Sequence, residues 1–298
     1  MNMRKNLLLS AASMLPLALA LVACGGGTDN LPPPPPPPPP APVIASVAPA
    51  PSASAAPAPA AAPPAPPITL TQGEASPEPP APTPVVKILA PTKEQVIPAA
   101  SAGDLAVKVD IKNWKIAPGD AHVHLILDGK PYKPLFDPKA PVKLSDLTGG
   151  DALAEGQHIL IAFPSRANHE SVKSPNALSL VEFWVGKKGE KVQDPAKPLL
   201  VYSRPKGEYK GDMANHVIID FQLVNDKLAA DKDHVHIAVT GPGIDGEKAA
   251  DATSFGPPFY LDNLQDGSYS VKLELLGADG KVLPGPWNSN SRTFSVAR

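Results

Sequence analysis

From Val85 onward, short runs of alternating apolar and polar residues recur along the chain, each closed by turn-forming residues. A period of two over four to eight residues predicts a half-buried β-strand, because successive side chains point to opposite faces. Such runs predict strands near 85–90, 104–112, 121–128, 141–144, 157–163 and 178–186. A second series follows near 199–203, 216–225, 233–240, 257–261, 268–276 and 291–297. Asp128-Gly129, Gly149-Gly150, Glu155-Gly156 and Asp279-Gly280 supply the turns. No stretch sustains a helical period, so the expected class is all-β without helices.

The two series are copies of each other. Lys115-Ile-Ala-Pro-Gly-Asp-Ala-His-Val-His124 aligns without a gap on Lys227-Leu-Ala-Ala-Asp-Lys-Asp-His-Val-His236. Val109-Asp110-Ile111 aligns on Ile219-Asp220-Phe221, Gly156-Gln157-His158 on Gly267-Ser268-Tyr269, and Phe183-Trp184-Val185 on Phe294-Ser295-Val296. The offsets of these four blocks are 112, 110, 111 and 111 residues, a constancy that marks a tandem duplication. The expected domains are 85–190 and 197–298, joined by the breaker-rich segment Gly186 to Pro195. Six or seven evenly spaced strands in roughly 100 residues predict a β-sandwich in each. Asp266-Gly267-Ser268-Tyr269-Ser270-Val271 resembles the penultimate strand of immunoglobulin-like and fibronectin-like domains, where a tyrosine fixes a corner. The resemblance implies two tandem immunoglobulin-like β-sandwich domains; copy one departs from it by carrying His158 at the tyrosine position.

One strand separates the copies. Ile159 to Phe163 is apolar on both faces, whereas Ser270, Lys272 and Glu274 make one face of the equivalent strand polar. An apolar outward face predicts a cover, and the other domain is the nearest candidate.

Composition changes the picture upstream. Of 41 prolines, 23 fall between positions 32 and 84, nine of them consecutive from Pro32 to Pro40. Proline fixes φ and removes the backbone donor, so residues 24–84 read as a disordered Pro/Ala-rich tether in a semi-rigid polyproline conformation. Ahead of it, Arg4 and Lys5 precede an apolar stretch from Leu7 to Ala20 that is too short to span a bilayer. It ends in Leu21-Val22-Ala23-Cys24, which resembles the bacterial lipobox. That resemblance implies a lipoprotein signal peptide over 1–23, cleavage after Ala23, and lipid on Cys24 that anchors the chain to a membrane of the cell envelope. Gly25 rather than aspartate after the cysteine implies the outer membrane. Cys24 is the single cysteine, so no internal disulfide can form. The formal charge is -2 and no basic block stands out, which argues against nucleic acid as a partner.

The chemistry-bearing residues are histidines. His122 and His124, and again His234 and His236, sit two apart in a strand and therefore share a face, opposite the core-facing Val123, Leu125 and Leu127 or Val235, Ile237 and Val239. Two imidazoles at this spacing can chelate copper or zinc, but a stable site needs a third ligand. His169 is the first candidate in copy one and His158 the second; Asp233 could serve in copy two, and His216 lies on another strand. The same pairs can equally be structural, hydrogen-bonding neighbouring loops. The pattern resembles small secreted bacterial domains of unassigned role that carry a strand His-x-His, then Gly-x-His, then a further histidine. Copy one has all three elements and copy two only the first. There is no Gly-x-Ser-x-Gly, no phosphate loop and no His-Glu-x-x-His, so no catalytic residue is assigned. Trp114, Trp184 and Trp287 could stack on a glycan, but a core role fits them better. The expected function is a membrane-anchored envelope lipoprotein, not an enzyme, whose domains bind an envelope protein, glycan or peptidoglycan or act structurally. The alternatives are a copper- or zinc-binding protein and, third, a carbohydrate-active or other envelope enzyme.

Overall fold

The computed structural model describes residues 65–298; the expected signal peptide, Cys24 and the proline run lie outside the described residues. A strand β1 (Thr69–Gln72) comes first. The first domain then contributes β2 (Val85–Ala90), β3 (Val96–Ile97), β4 (Ala106–Lys112), β5 (His122–Leu127), β6 (Lys133–Leu135), β7 (Val142–Lys143), β8 (Gly156–Ser165) and β9 (Ser179–Val185). The second contributes β10 (Leu199–Arg204), β11 (Gly207–Lys210), β12 (His216–Val224), β13 (His234–Thr240), β14 (Lys248–Ala252), β15 (Phe259–Asp262), β16 (Gly267–Leu276) and β17 (Ser289–Ala297).

The first domain packs a three-stranded sheet β2-β4-β7 on a five-stranded sheet β3-β9-β8-β5-β6. The second repeats that order with β10-β12-β15 and β11-β17-β16-β13-β14. In both, the short edge strand (β3 or β11) runs parallel to the last strand and all other pairings are antiparallel. These are two immunoglobulin-like sandwiches of one topology. Each has its own aliphatic core, with Val123, Leu125, Leu127, Leu160 and Phe183 at the centre of the first and Val235, Ile237, Val239, Val271 and Phe294 at the centre of the second.

Sequence reading missed four of the short strands, β3, β6, β11 and β14, and three single turns of helix at Ala99–Ala102, Leu144–Leu147 and Gly211–Ala214. Two to five residues carry little periodicity of their own. The expectation of a structureless tether through residue 84 also needs correction. β1 pairs antiparallel with β15, and Ile68 beside it is buried in the second domain's core. Ile68-Thr-Leu-Thr-Gln72 contains β-branched residues and no proline, so its donors are free to extend the ladder over what would otherwise be an open edge. The chain then crosses to the first domain, where Ser76 bonds Glu170, Ser174 donates to Glu78 at 2.5 Å, and Arg166 donates to the Pro77 carbonyl at 2.6 Å.

A third apolar cluster lies between the sandwiches. Ile126, Tyr132, Ile159, Ile161 and Phe163 from the outward face of the first domain's five-stranded sheet pack against Leu199 and Val201 of β10. The polar counterpart sits alongside. The segment between β8 and β9 lies on β12: Lys173 Nζ donates to Asp220 Oδ1 at 2.6 Å, the Ser171 amide to Asp220 Oδ2 at 3.2 Å, and Gln222 Nε2 to the Val172 carbonyl at 2.8 Å. Arg292 reaches across to the Gly129 and Lys130 carbonyls at 2.9 and 3.0 Å.

Candidate metal centre

β5 has the sequence His-Val-His-Leu-Ile-Leu and is buried on both faces. Its odd-numbered residues fill the first core; the even-numbered ones point outward, under the second domain. His122 and His124 are therefore outward-facing yet 1% and 0% exposed. Sequence pattern gave the direction of these side chains, and docking of the second domain supplied the burial.

Three imidazoles converge there. His122 Nε2 lies 2.9 Å from His124 Nε2 and 3.2 Å from His169 Nδ1, and the three ligand atoms all fall within 4.8 Å of one another. A tetrahedral ion with metal–nitrogen bonds of about 2.0 Å separates its ligands by roughly 3.3 Å. His169 arrives from the segment after β8. A turn, in which the His169 amide donates to the Arg166 carbonyl, holds it at φ +68°, a left-handed conformation uncommon among non-glycine residues but more open to histidine than to most.

The outer contacts set the tautomers. His122 Nδ1 lies 2.9 Å from the Asp120 carbonyl, which can only accept, so Nδ1 carries the proton and Nε2 presents a lone pair to its neighbours. His124 Nδ1 lies 3.1 Å from the Ser203 hydroxyl of β10. That hydroxyl can donate, in which case His124 Nε2–H donates to His122 Nε2. It can also accept, in which case both Nε2 lone pairs face the same point and a cation is needed between them. The residues fit a metal in this second arrangement, with backbone and hydroxyl partners of the kind that orient ligand imidazoles. Burial holds all three imidazoles neutral, the form that ligates. It lowers the His122 pKa, and with the charges of His122 and Arg204 it lowers that of His124 far more. Burial and then Arg204 bring His169 down to about 3.

The walls are aromatic. The Tyr132 ring stacks on His124 at 3.5 Å between centroids, Phe163 meets its edge at 5.3 Å, and Phe136 lies 4.9 Å from His122. Against the Tyr132 ring also stand Arg204, 5.1 Å from the ring centroid, and Lys206, at 4.0 Å. Burial, then Arg204 and Arg292, pull the Lys206 pKa down to about 8. Tyr132, Ser203 and Arg204 carried no signal in the sequence: the turn between β5 and β6 brings Tyr132 to the histidines, and docking of β10 brings the other two.

The other sequence candidates lie elsewhere. His158 is not a ligand here. Its Nε2 donates to the Ala154 carbonyl at 2.9 Å and its Nδ1 bonds Asp128 at 2.6 Å, with the ring stacked on Phe183 at 5.3 Å. Tyr269, its counterpart, bonds the Gln265 carbonyl at 3.0 Å and stacks on Phe294 at 5.4 Å. Both reach the carbonyl four residues upstream, so His158 is a histidine version of the tyrosine corner. In copy two, His234 Nδ1 bonds the Lys232 carbonyl, His236 pairs with Asp251 at 2.7 Å, and His216 with Asp262 at 2.5 Å. Among the described residues no third group, Asp233 included, joins His234 and His236. Of the tryptophans, Trp184 is buried, the Trp114 indole donates to the His122 carbonyl, and Trp287 packs beside the interdomain cluster.

The His158 corner makes stability depend on pH. Burial lowers its pKa, but the Asp128 hydrogen bond and charge and the Ala154 carbonyl outweigh that, and the net shift is upward. The folded state then holds a proton that the unfolded state releases near pH 6.5. The stabilisation is full below that pH and is lost as pH rises through the folded value. Urea denaturation between pH 6 and 9 should show a decline in the parent that His158→Gln lacks. Parallel pH profiles for the two would contradict this assignment.

No family model and no curated protein matches this chain. Among solved structures, it is similar to fibronectin(III)-like modules of Clostridium thermocellum CbhA, with 15% identity over 71% of this chain and 94% of that one and a TM-score of 0.24. It is also similar to the D0–D1 domain of intimin, at 13% identity over 72% and 100% of the two chains and a TM-score of 0.24. A two-domain fibronectin type III segment from chicken tenascin gives 10% identity over 71% and 98%, with a TM-score of 0.21. Scores at this level carry no functional argument, and the fold assignment rests on the strand order itself.

Proposed function

We propose that this chain is a cell-envelope lipoprotein that binds one transition-metal ion, copper or zinc, in its first immunoglobulin-like domain under the cover of the second. The reading is of a binding module, not an enzyme, anchored through lipid on Cys24 and held in the outer membrane. The convergence of His122 Nε2, His124 Nε2 and His169 Nδ1 carries the metal reading. The anchor rests on the lipobox-like Leu21 to Cys24. His122, His124 and His169 would hold the ion, which would supply Lewis acidity or, for copper, redox chemistry.

The test is titration of the purified full chain with Zn²⁺ and Cu²⁺ at pH 7.5. One equivalent should bind with micromolar or better affinity, and His122→Ala with His124→Ala should lose at least a hundredfold. Ser203→Ala should still bind, about tenfold more weakly, since it loses only an orienting partner. His234→Ala with His236→Ala should bind like the parent. A parent that takes up neither ion, or a His122/His124 double variant that binds as the parent does, would overturn the reading.

A further inference from the structure

Resting on that metal reading, a second set of residues specifies what else enters the centre. Three cations of the second domain stand over tyrosine rings: Arg204 at 5.1 Å and Lys206 at 4.0 Å from the Tyr132 centroid, and Arg292 at 4.3 Å from that of Tyr202. None of the three forms a salt bridge among the described residues. Arg292 leaves its own Nε unpartnered but donates from its Nη atoms to the carbonyls of Ser203, Gly129 and Lys130, and Lys206 donates to the Tyr132 carbonyl. Arg204 has the fewer partners of the two guanidiniums. It is 8% exposed, its Nη1 donates to the Tyr209 hydroxyl at 3.1 Å, and its Nε has no partner. A buried guanidinium normally meets a carboxylate or phosphate, for which its planar fork of donors is shaped.

Arg204 and His169 line one cavity of about 390 Å³, together with Asn168, His216 and Tyr260. Glu208 also lines it, but its carboxylate is paired with Lys210 at 2.8 Å. Three neutral imidazoles leave a bound divalent ion its full charge, and Arg204 shares the cavity of His169 while Lys206 stands against Tyr132. A tetrahedral ion held by three histidines keeps a fourth position for a ligand from solution. A small anion there would quench the metal's charge and accept from the guanidinium at once.

We infer that the centre takes its metal together with a small carboxylate or oxyanion from solution, which fills the fourth position on the metal and is held by Arg204 at the His169 cavity. Co²⁺ reports this directly, because its visible bands follow coordination number and ligand type. With the full chain in a perchlorate medium, adding acetate should shift those bands and tighten Co²⁺ binding at least tenfold. Arg204→Met should still bind Co²⁺ and lose most of the acetate gain; Arg204→Lys, which keeps charge without the fork, should fall between. Co²⁺ binding whose affinity and spectrum ignore acetate in the parent would overturn the inference and leave the metal reading intact. An acetate gain undiminished in a folded Arg204→Met would equally overturn it. If Arg204→Met does not fold, the parent's response decides. No Co²⁺ uptake with or without acetate removes the metal reading itself, and this inference with it.

Discussion

Asp220→Ala is expected to cost about 3–5 kcal/mol in urea denaturation at pH 7, the range for breaking one partner out of a buried ion pair. The Asp220 side chain is fully buried and that of Lys173 is 9% exposed, at a separation of 2.6 Å across the domain boundary. Its loss strands two groups in the interface: the Lys173 ammonium and the Ser171 amide that donates to the other carboxylate oxygen. The pair itself is a different matter from its rupture, because two desolvated charges gain little over well-packed apolar groups. The double variant Lys173→Met with Asp220→Leu should therefore recover most of the loss. If the double variant is as unstable as the single, the cost lies in packing around β12 and the ion-pair argument fails.

Phe163→Ala should cost a similar 3–5 kcal/mol, the usual price of truncating a fully buried aromatic ring. Phe163 is 0% exposed and packs with Ile126, Tyr132, Ile159, Ile161, Leu199 and Val201 between the domains, its ring meeting the edge of His124. Phe183, equally buried, belongs instead to the first domain's own core. Truncating either should lower stability by a comparable amount. Only Phe163→Ala should also weaken metal binding, because it removes a wall from His124 and loosens the contact that brings Ser203 to it. Thermal melts paired with Zn²⁺ titration separate the two. Equal loss of zinc affinity in both variants would mean that the site answers to general stability, not to this interface.

The strand pattern made most of the fold legible. Alternation over 106–112, 216–224 and 267–276, the last closed by Asp279-Gly280, follows from local geometry that each strand carries within itself. The constant offset of the two copies predicted one topology twice over. What alternation did not reach were short segments such as β3 and β14, or an edge strand like β1, which exists because β15 offers it a ladder. Proline content around Ile68 to Gln72 masked a run that keeps all its own donors.

The candidate centre divides in the same way. Sequence alone determined that His122 and His124 share the outward face of β5, since a spacing of two admits nothing else in a strand. It also determined that copy one's outward face is apolar at Ile159, Ile161 and Phe163, and so wants a cover. Which histidine would be third was open between His169 and His158, because both lie in reach along the chain. Tertiary structure decided it. The turn after β8 brings His169 back over β5, while the corner geometry commits His158 to Asp128 and Ala154. The burial that keeps the imidazoles neutral, the Ser203 hydroxyl and the unpaired Arg204 all come from a domain that begins after residue 190. Their positions follow from how two sandwiches dock, and docking is set by the fit of whole surfaces, which no local spacing encodes.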